Sequence, residues 1–371
     1  MIMKKLILFV CAMAIASLNL TSCRKDSVSR TPGVTQVTGK KAVKKKKSIM
    51  TPVATGAPYE ILVVADASAF NNGAYDTLKA VLTDDIEGLF QPEPCFKVSY
   101  VTSGNLSKSL RYCRNIIMLN IDRIYSQCRI KYTRDMYASS QMVMNIQAPS
   151  AVSFIDYVRD NAGVITDFFT KSEMNRQAEQ LKGDNHPVVR EKVMKIFGCE
   201  LWAPTELRKT KEGRDFFWAS TDGAETSSNI VVYSYPYTDI NTFTMEYFVR
   251  KRDSVMKANI PGPNPGQYMQ TTMPAVFVSD TQVHGGYAQL VRGLWNIKDY
   301  DMGGPFVSIS RVDEKNQRVV VAETFIFAPN KNKGAAIRKF EAALYTLRLP
   351  DELDLEKFQY NLDEIIINPE D

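Results

Sequence analysis

The chain has 371 residues, of which 44% are hydrophobic and 23% charged, a composition that excludes a disordered protein and a multi-span membrane protein. Its net charge is +5, but Lys4 and Lys5 carry +2 and residues 23–50 carry +8, so residues 51–371 carry −5. The basic character therefore belongs to the N-terminal leader. The remainder is a mildly acidic globular protein, long enough for two domains of ordinary size.

The first 22 residues have the pattern of a signal peptide. Lys4 and Lys5 precede an apolar run from Leu6 to Leu18, which is too short to span a bilayer. The stretch Leu-Thr-Ser-Cys that ends at Cys23 resembles the lipobox of bacterial lipoproteins, which implies cleavage before Cys23 and acylation of its sulfur. We therefore expect an exported protein held to a membrane by acyl chains on Cys23, which excludes nucleic acid as a partner.

Residues 23–55 form a predicted flexible tether. They are rich in Ser, Thr, Pro, Gly and Lys and show no helical or strand period. The run Lys44 to Lys47 keeps the tether extended by self-repulsion, or alternatively lies on anionic lipid. The acidic run that follows the cysteine in many surface-exposed lipoproteins is replaced here by Arg24-Lys25-Asp26, which favours an outer-membrane position facing the periplasm.

Residues 56–148 are predicted to form a small α/β domain. Apolar runs and helical spacing alternate along this segment, and strand–helix–strand order favours a parallel sheet. The predicted strands are Tyr59–Ala65, Phe96–Val101, Asn115–Ile121 and one or two within Ile130–Gln147, and the predicted helices are Thr77–Leu89 and Leu106–Cys113.

A helical connector is predicted over residues 149–198. Phe154, Ile165 and Phe169 belong to one apolar stripe, which Gly183 interrupts. Pro187 near a first turn then predicts a second helix, which ends before Gly198. His186 precedes this helix, and its predicted role is a cap or a surface position.

Residues 199–350 change to a strand-rich pattern, followed by a C-terminal tail over 351–371. The predicted strands are Cys199–Trp202, Phe216–Ser220, Asn229–Tyr235, Ala275–Ser279, Tyr287–Ile297, Phe306–Val312 and Arg318–Phe327, with helices at Thr242–Met256 and Ala335–Leu347. Mostly antiparallel strands with helices on one side make this an α+β domain. The fold class of the whole chain is therefore α+β, with a small N-terminal α/β unit.

Four cysteines remain after the signal peptide and the anchor, namely Cys95, Cys113, Cys128 and Cys199. An oxidising compartment permits pairing, and four cysteines allow three connectivities. Cys113 and Cys128 are the candidate disulfide because they are near in sequence. Free buried thiols are the alternative.

Asp66 and Ser68 directly follow the first predicted strand, where ligands bind in open α/β sheets. The stretch resembles the start of the Asp-x-Ser-x-Ser metal-ion-dependent adhesion motif of von Willebrand A domains, but Phe70 replaces the second serine. A loop or helix-capping role is the alternative.

His284 and the pair Asp299 and Asp301 lie in two glycine-containing loops. Two carboxylates beside a histidine would suit hydrolysis. The alternative is that both loops are tight turns around the strand Tyr287–Ile297.

Tyr233 and Tyr235 alternate with other residues and so share one face of a strand. An aromatic face binds sugar rings by stacking, or else fills the core of a sheet. Pro236 favours an edge position for this strand.

The sequence lacks the common catalytic and nucleotide-binding motifs and contains two histidines, His186 and His284. No metal site, catalytic residue or cofactor is therefore predicted. A carboxylate-only enzyme would escape this argument, so the sequence leaves enzymatic activity open while favouring a binding protein.

The lipobox, the lysine-rich leader and stretches such as GRDFFWAS (213–220) and RVVVAETFIFAPNKNKG (318–334) resemble an uncharacterised family of Gram-negative envelope lipoproteins, a domain of unknown function. The likeness covers most of the mature chain, and it implies no activity and no catalytic residues.

These features predict a membrane-anchored envelope lipoprotein that acts as a non-enzymatic binding or assembly module. Its partner is an envelope protein or another envelope component. The alternatives are a periplasmic hydrolase that uses Asp66 or the His284, Asp299 and Asp301 loops, and a glycan-binding lipoprotein that uses the tyrosine face.

Overall fold

A computed structural model describes residues 51–353, and within them the chain forms two β-sheets and six α-helices. The predicted signal peptide, Cys23, all of the tether before residue 51 and residues 354–371 lie outside the described residues. The strands of the first sheet are β1 (Glu60–Ala65), β2 (Lys97–Thr102), β3 (Asn115–Ile121), β4 (Arg129–Arg134) and β5 (Met142–Ala148). Those of the second sheet are β6 (Lys209–Gly213), β7 (Phe216–Ser220), β8 (Ser227–Pro236), β9 (Met269–Val283), β10 (Gly286–Ile297), β11 (Tyr300–Asp313) and β12 (Arg318–Phe327). The helices are α1 (Ala74–Leu82), α2 (Ala151–Asp160), α3 (Ala162–Gly183), α4 (Pro187–Phe197), α5 (Met245–Asn259) and α6 (Gly334–Leu344).

The first sheet has five strands in the order β2-β1-β3-β5-β4. Strands β1, β2, β3 and β5 run parallel, and β4 pairs with β5 in the antiparallel sense. Five of the six residues of β1 are buried, as expected for a parallel strand that is covered on both faces. The predicted N-terminal α/β unit is confirmed.

One predicted helix of this unit is wrong. Leu106–Cys113 forms a loop with a single 3-10 turn, Leu110–Tyr112. The hydroxyl groups of Ser107 and Ser109 are 3.0 Å apart, and Ser107 Oγ accepts a hydrogen bond from the backbone N–H of Leu110. Such local side-chain bonds compete with helical hydrogen bonding.

The helical segment is confirmed, except that the first predicted helix is divided at Asn161 into α2 and α3. Ser150 caps α2 by accepting a hydrogen bond from the backbone N–H of Ser153 at 3.2 Å. His186 caps α4 in the same way through Nδ1, which accepts from Val189 N–H at 3.3 Å, and Pro187 occupies the first turn. The capping role predicted for His186 is therefore confirmed.

The second sheet has seven antiparallel strands in the order β6-β7-β8-β12-β11-β10-β9. Helices α4 and α6 share a hydrophobic core with one face of this sheet, and α5 packs on the other face. The α+β class with a large antiparallel sheet is confirmed. The structure differs from the sequence-based expectation in placing helices on both faces of this sheet.

Two local expectations for the second sheet are wrong, and one of its strands was not predicted. Cys199–Trp202 is buried, but it joins a neighbour through one isolated bridge between Glu200 and Arg348. Strand β6 was not predicted, because its sequence Lys-Thr-Lys-Glu-Gly has no apolar alternation. Strand β8, which ends at Pro236, lies between β7 and β12 and is not at an edge.

Helix α6 connects the two sheets. The Glu93 carboxylate, in the loop before β2, accepts hydrogen bonds from Lys333 N–H at 2.6 Å and Gly334 N–H at 2.8 Å at the start of α6. The guanidinium of Arg338 lies 4.2 Å from the ring centre of Tyr59. Both sheets accordingly belong to one compact unit, which includes all described residues.

The last residues of the predicted tether lie within the described part of the chain. Backbone hydrogen bonds join Ala54 to Ser139 at 3.0 Å and Thr55 to Tyr112 at 2.7 Å. Residues 52–55 therefore pair with the first unit. Within residues 51–353 no helix is both long and apolar enough to cross a bilayer.

Candidate functional site

His284 and the pair Asp299 and Asp301 do not come together. His284 lies in the turn that precedes β10, and Asp299 lies in the turn that follows it. A twelve-residue strand separates the two turns, which is roughly 40 Å at about 3.4 Å per residue. The predicted grouping of these residues for hydrolysis is therefore wrong, and the alternative of two tight turns describes both loops.

The His284 turn is partly buried beside charged groups. His284 and Gly285 adopt positive φ of 55° and 75°, which closes the hairpin between β9 and β10. Burial lowers the pKa of His284 to about 4, against the opposing effect of the Glu352 carboxylate. The positive charges of Arg311 and Arg348 lower the pKa of His284 further.

Tyr233 and Tyr235 share one face of β8, as predicted, but the face belongs to the core. Their side chains are 1% and 8% exposed and pack with α5, where Tyr235 contacts Tyr247. Rings that are covered in this way cannot stack on a sugar in this conformation. The core-filling alternative describes them.

Asp66 and Ser68 are exposed at the carboxyl end of β1. Their backbone carbonyls accept hydrogen bonds from Ala69 and Asn71 in a short 3-10 turn, Ala67–Phe70. The structure shows them as turn residues. Across residues 51–353, no three His, Cys, Asp or Glu side chains are grouped so that they could hold a metal ion.

The predicted disulfide is not formed. Cys113 packs on one face of the five-stranded sheet with Leu62 and Val64, and Cys128 belongs to the hydrophobic cluster on the opposite face. All four cysteines of the described chain are free thiols. Nearness in sequence was misleading. Strand β3 lies between the two cysteines in the chain, and the cysteines on either side of it pack on opposite faces of the sheet.

The two sheets have four edge strands, and three of them carry basic residues. These residues are Lys97 on β2, Arg129, Lys131 and Arg134 on β4, and Lys209 and Lys211 on β6. Charged side chains, above all lysine, discourage another strand from pairing with an edge. The fourth edge, β9, has fifteen residues and a single charge, Asp280.

Strand β9 also exposes apolar side chains. The exposed fractions are 51% for Met273, 45% for Phe277 and 40% for Val278. Residues 276–283 pair regularly with β10 from Val276 opposite Gly293 to Val283 opposite Gly286. An edge strand leaves every second backbone N–H and C=O without a strand partner. Residues 276–283 therefore offer a regular template for another strand.

A groove of about 420 Å³ lies beside the β9–β10 turn. Three aromatic residues line it: Tyr237 follows β8, Phe243 precedes α5, and Tyr287 is on β10. The Phe243 and Tyr287 ring centres are 5.3 Å apart, and the Tyr287 hydroxyl donates to Asp280 of β9 at 2.9 Å. The groove and the β9 edge are therefore neighbouring parts of one surface.

Charged residues form the other wall of the groove. Arg311 on β11 donates to both carboxylate oxygens of Glu352, at 2.7 and 2.5 Å. Asp313 accepts from Arg318 at 2.9 Å, and Glu314 is exposed. Sequence reasoning missed this surface, because the apolar run Ala275–Ser279 identifies a strand without showing that it lies at an edge.

Two family models match the chain. A model described as a domain of unknown function (DUF8532) matches residues 54–182, and a second one, domain of unknown function (DUF4837), matches residues 186–346. The matches meet between α3 and α4, so the first contains the five-stranded sheet and the second contains the seven-stranded sheet. None of the curated proteins that were compared with the chain matches it. The chain is thus similar to two domains of unknown function, which is consistent with the expectation of an uncharacterised family.

Proposed function

We propose that the chain is an exported lipoprotein, anchored through Cys23 to the outer membrane on its periplasmic side, that binds a partner protein by strand addition to β9. The partner contributes an extended segment that pairs with residues 276–283. The protein acts as a binding or assembly module and needs no catalytic residues for this role.

The single observation that carries this proposal is the exposed, almost uncharged edge of β9. In strand addition, main-chain hydrogen bonds supply the affinity and alternate side chains supply the specificity. Each face of β9 exposes an apolar side chain, because Phe277 lies on the α6 side of the sheet and Val278 on the α5 side. A partner strand would meet an apolar contact on each face.

The charge pattern supports a protein partner. The other three edges carry Lys or Arg, so the β9 edge differs from them in carrying Asp280 as its single charge. A long, apolar edge that served no partner would be an aggregation hazard. The separation of His284 from Asp299 and Asp301 removes the main support for the hydrolase alternative.

Site-specific photo-crosslinking in intact cells tests the binding site. p-Benzoylphenylalanine replaces Phe277 on β9, and the matched control replaces Tyr100, which is 60% exposed on the edge strand β2. We expect one defined protein adduct from position 277 and none from position 100. Equal adduct patterns at the two positions, or no adduct at 277, would overturn the proposal.

The anchor has a separate test. We expect Cys23→Ala to give an uncut precursor without fatty acid, because the Cys23 sulfur is the atom that carries the lipid. Cells that are labelled with a radioactive fatty acid report acylation directly, and Cys95→Ala is the matched control. Equal labelling of the wild type and Cys23→Ala would refute the anchor.

A further inference from the structure

The groove beside β9 has aromatic walls and an acidic rim, and buried hydrogen-bond acceptors adjoin the residues that line it. We propose that it binds the side chain of a lysine in the extended partner segment. This inference rests on the proposed function, since the lysine belongs to the segment that pairs with β9.

The aromatic walls suit a long side chain that ends in a cation. Tyr237, Phe243 and Tyr287 form a continuous row, with ring centres 6.2 Å and 5.3 Å apart. Tyr287 is 47% exposed, so the row opens to solvent. The methylene stem of lysine packs on apolar surface, and its ammonium is attracted to aromatic faces.

The rim carries more negative than positive charge. Its lining contains four carboxylates, Asp313, Glu314, Asp351 and Glu352, against the guanidinium of Arg311. Arg311 is paired with Glu352, and Asp313 is paired with Arg318. Glu314 and Asp351 are exposed, and Asp351 Oδ1 lies 4.0 Å from Lys315 Nζ. An incoming cation is therefore attracted and an anion is repelled.

The strongest feature is a set of buried polar side chains next to residues that line the groove. Gln289 is two residues along β10 from Tyr287, Ser310 is two residues along β11 from Val312, and Thr242 adjoins Phe243. Gln289 Oε1, Ser310 Oγ and Thr242 Oγ1 are buried, and each lacks a hydrogen-bond partner within residues 51–353. Each of these side chains is about 1% exposed. Buried polar atoms of this kind ordinarily have partners.

The orientation of the Gln289 amide is fixed by its neighbour. Its Nε2 donates to the backbone carbonyl of Phe243, so Oε1 is left as an acceptor. Gln289 and Ser310 are paired across β10 and β11, which places their side chains side by side on the α5 face. Residues i and i+2 of a strand are about 7 Å apart, which is close to the length of a lysine side chain.

These features select a lysine over other side chains. An ammonium group has three donors and no acceptor, which complements a set of oxygen acceptors. An apolar side chain would leave these oxygens without partners, and a carboxylate would meet Glu314 and Asp351. The lysine therefore supplies a side-chain anchor beside the main-chain pairing on β9.

Peptide binding to a soluble form of the chain without the anchor cysteine, residues 24–371, tests the proposal. The probes are a labelled pentapeptide, acetyl-Thr-Val-Lys-Val-Thr-amide, and the same peptide with Nε-acetyl-lysine. We expect the lysine peptide to bind about tenfold more tightly, since acetylation removes the charge. Fluorescence anisotropy at low salt provides the measurement. Equal affinity for the two peptides, or binding of neither, would overturn the lysine site.

Charge variants locate the binding. We expect Glu314→Gln with Asp351→Asn to weaken the lysine peptide about fivefold, because the rim loses its exposed carboxylates. The matched control, Asp222→Asn with Glu225→Gln, changes exposed acids in the β7–β8 turn and should leave affinity unchanged. Equal losses in both variants would overturn the assignment to the groove. So would binding that appears only after residues 355–371 are removed, since the chain's own C-terminal segment would then be the occupant.

The two proposals fail separately. A crosslink at position 277 without selectivity for the lysine peptide would overturn the lysine site and leave strand addition in place. Selective peptide binding without any crosslink at position 277 would support the groove and contradict the β9 edge.

Discussion

The two edges of the seven-stranded sheet are built in opposite ways. Strand β6 has five residues, three of them charged, and its side chains are tied to neighbouring helices. Lys192 on α4 pairs with Glu212, and Lys211 donates to the Asn259 carbonyl at the end of α5. Strand β9 is three times as long and carries one charge. Both edges belong to the same sheet, so this difference is local to each strand.

The two ends of β9 also differ from each other in how they are held. Its first residues are held by α5, where Asp253 accepts from the backbone N–H and the hydroxyl of Thr271 at 2.8 and 2.7 Å. Pairing with β10 then shifts between Gly293 and Leu294, and the regular template begins at Val276. One end of β9 is therefore fixed, while residues 276–283 are left open to pair.

The largest expected effect comes from the fixed end. Arg252 of α5 forms two hydrogen bonds with Glu323 Oε1 and one with Oε2 at 2.8–3.1 Å, and donates to Thr271 of β9 at 3.0 Å. Both side chains of the pair are fully buried. Arg252→Ala would leave the Glu323 carboxylate without a counter-ion, and we expect a loss of about 3–5 kcal/mol of unfolding free energy. Urea unfolding of the purified mature chain measures this loss.

Two variants make the comparison with β6. Lys192→Ala breaks the pair on the β6 side, and because this pair is solvent-exposed we expect a melting-temperature change below about 2 °C. Arg252→Met with Glu323→Leu should recover most of the lost stability, since neither charge stays buried. If Lys192→Ala lowers the free energy of unfolding as much as Arg252→Ala does, the side-chain contacts at the two edges stabilise the fold equally.

The next effect on stability is expected from a substitution in the hairpin turn next to an edge strand. His284 closes the β9–β10 turn, and its folded-state pKa of about 4 lies below its usual value of 6.5. Between pH 4 and pH 6.5 the unfolded chain therefore binds more protons than the folded chain does. The contribution of His284 to the free energy of unfolding is complete above about pH 6.5 and falls as the pH drops toward 4. The expected contribution is on the order of 3 kcal/mol. His284→Asn should remove it, and asparagine tolerates positive φ.

Unfolding curves collected from pH 4 to 7 measure this contribution. Asp215→Asn changes the corresponding residue of the exposed β6–β7 turn, where φ is 52°, and serves as the control. The difference between wild type and His284→Asn should grow as the pH falls. Parallel curves for these two proteins would show that the ring is accessible to protons in the folded state.

The smallest expected effect on stability comes from removing the charged side chains of the edge strand β6. In the variant with Lys209→Thr, Lys211→Thr and Glu212→Thr, β-strand propensity is kept and the charges are removed. We expect concentration-dependent self-association, because an uncharged edge accepts another strand. Sedimentation velocity measures it, with Glu191→Thr and Lys195→Thr on the exposed face of α4 as the control. A variant that stays monomeric would show that charge does not protect β6.

The sequence was most informative where apolar residues have a clear period. Asn115–Ile121 and Phe216–Ser220 were predicted with the bounds that the structure shows, and Pro187 and Gly198 marked the ends of α4. Each of these signals is local, because burial on one or both faces dictates the residue pattern. The α+β class follows from the order of such elements.

The site could not be predicted in the same way, because it depends on which strands become neighbours. Asp299 is 15 residues from His284 in the chain, yet a straight strand carries it to the far end of the sheet. Tyr287, Phe243 and Asp313 come from different elements, and no period or spacing relates them. The signal that remained was the absence of charged residues from Met269 to Ser279.

The most direct test of the central claim is a crosslinking scan along the edge. p-Benzoylphenylalanine is placed in turn at each of residues 276–281 of β9 and 209–213 of β6, and the partner residue that reacts is identified by mass spectrometry. Strand addition places successive β9 positions against successive residues of one partner segment, with no adduct from β6. Adducts scattered over the partner's surface, or equal adducts from β6, would contradict it.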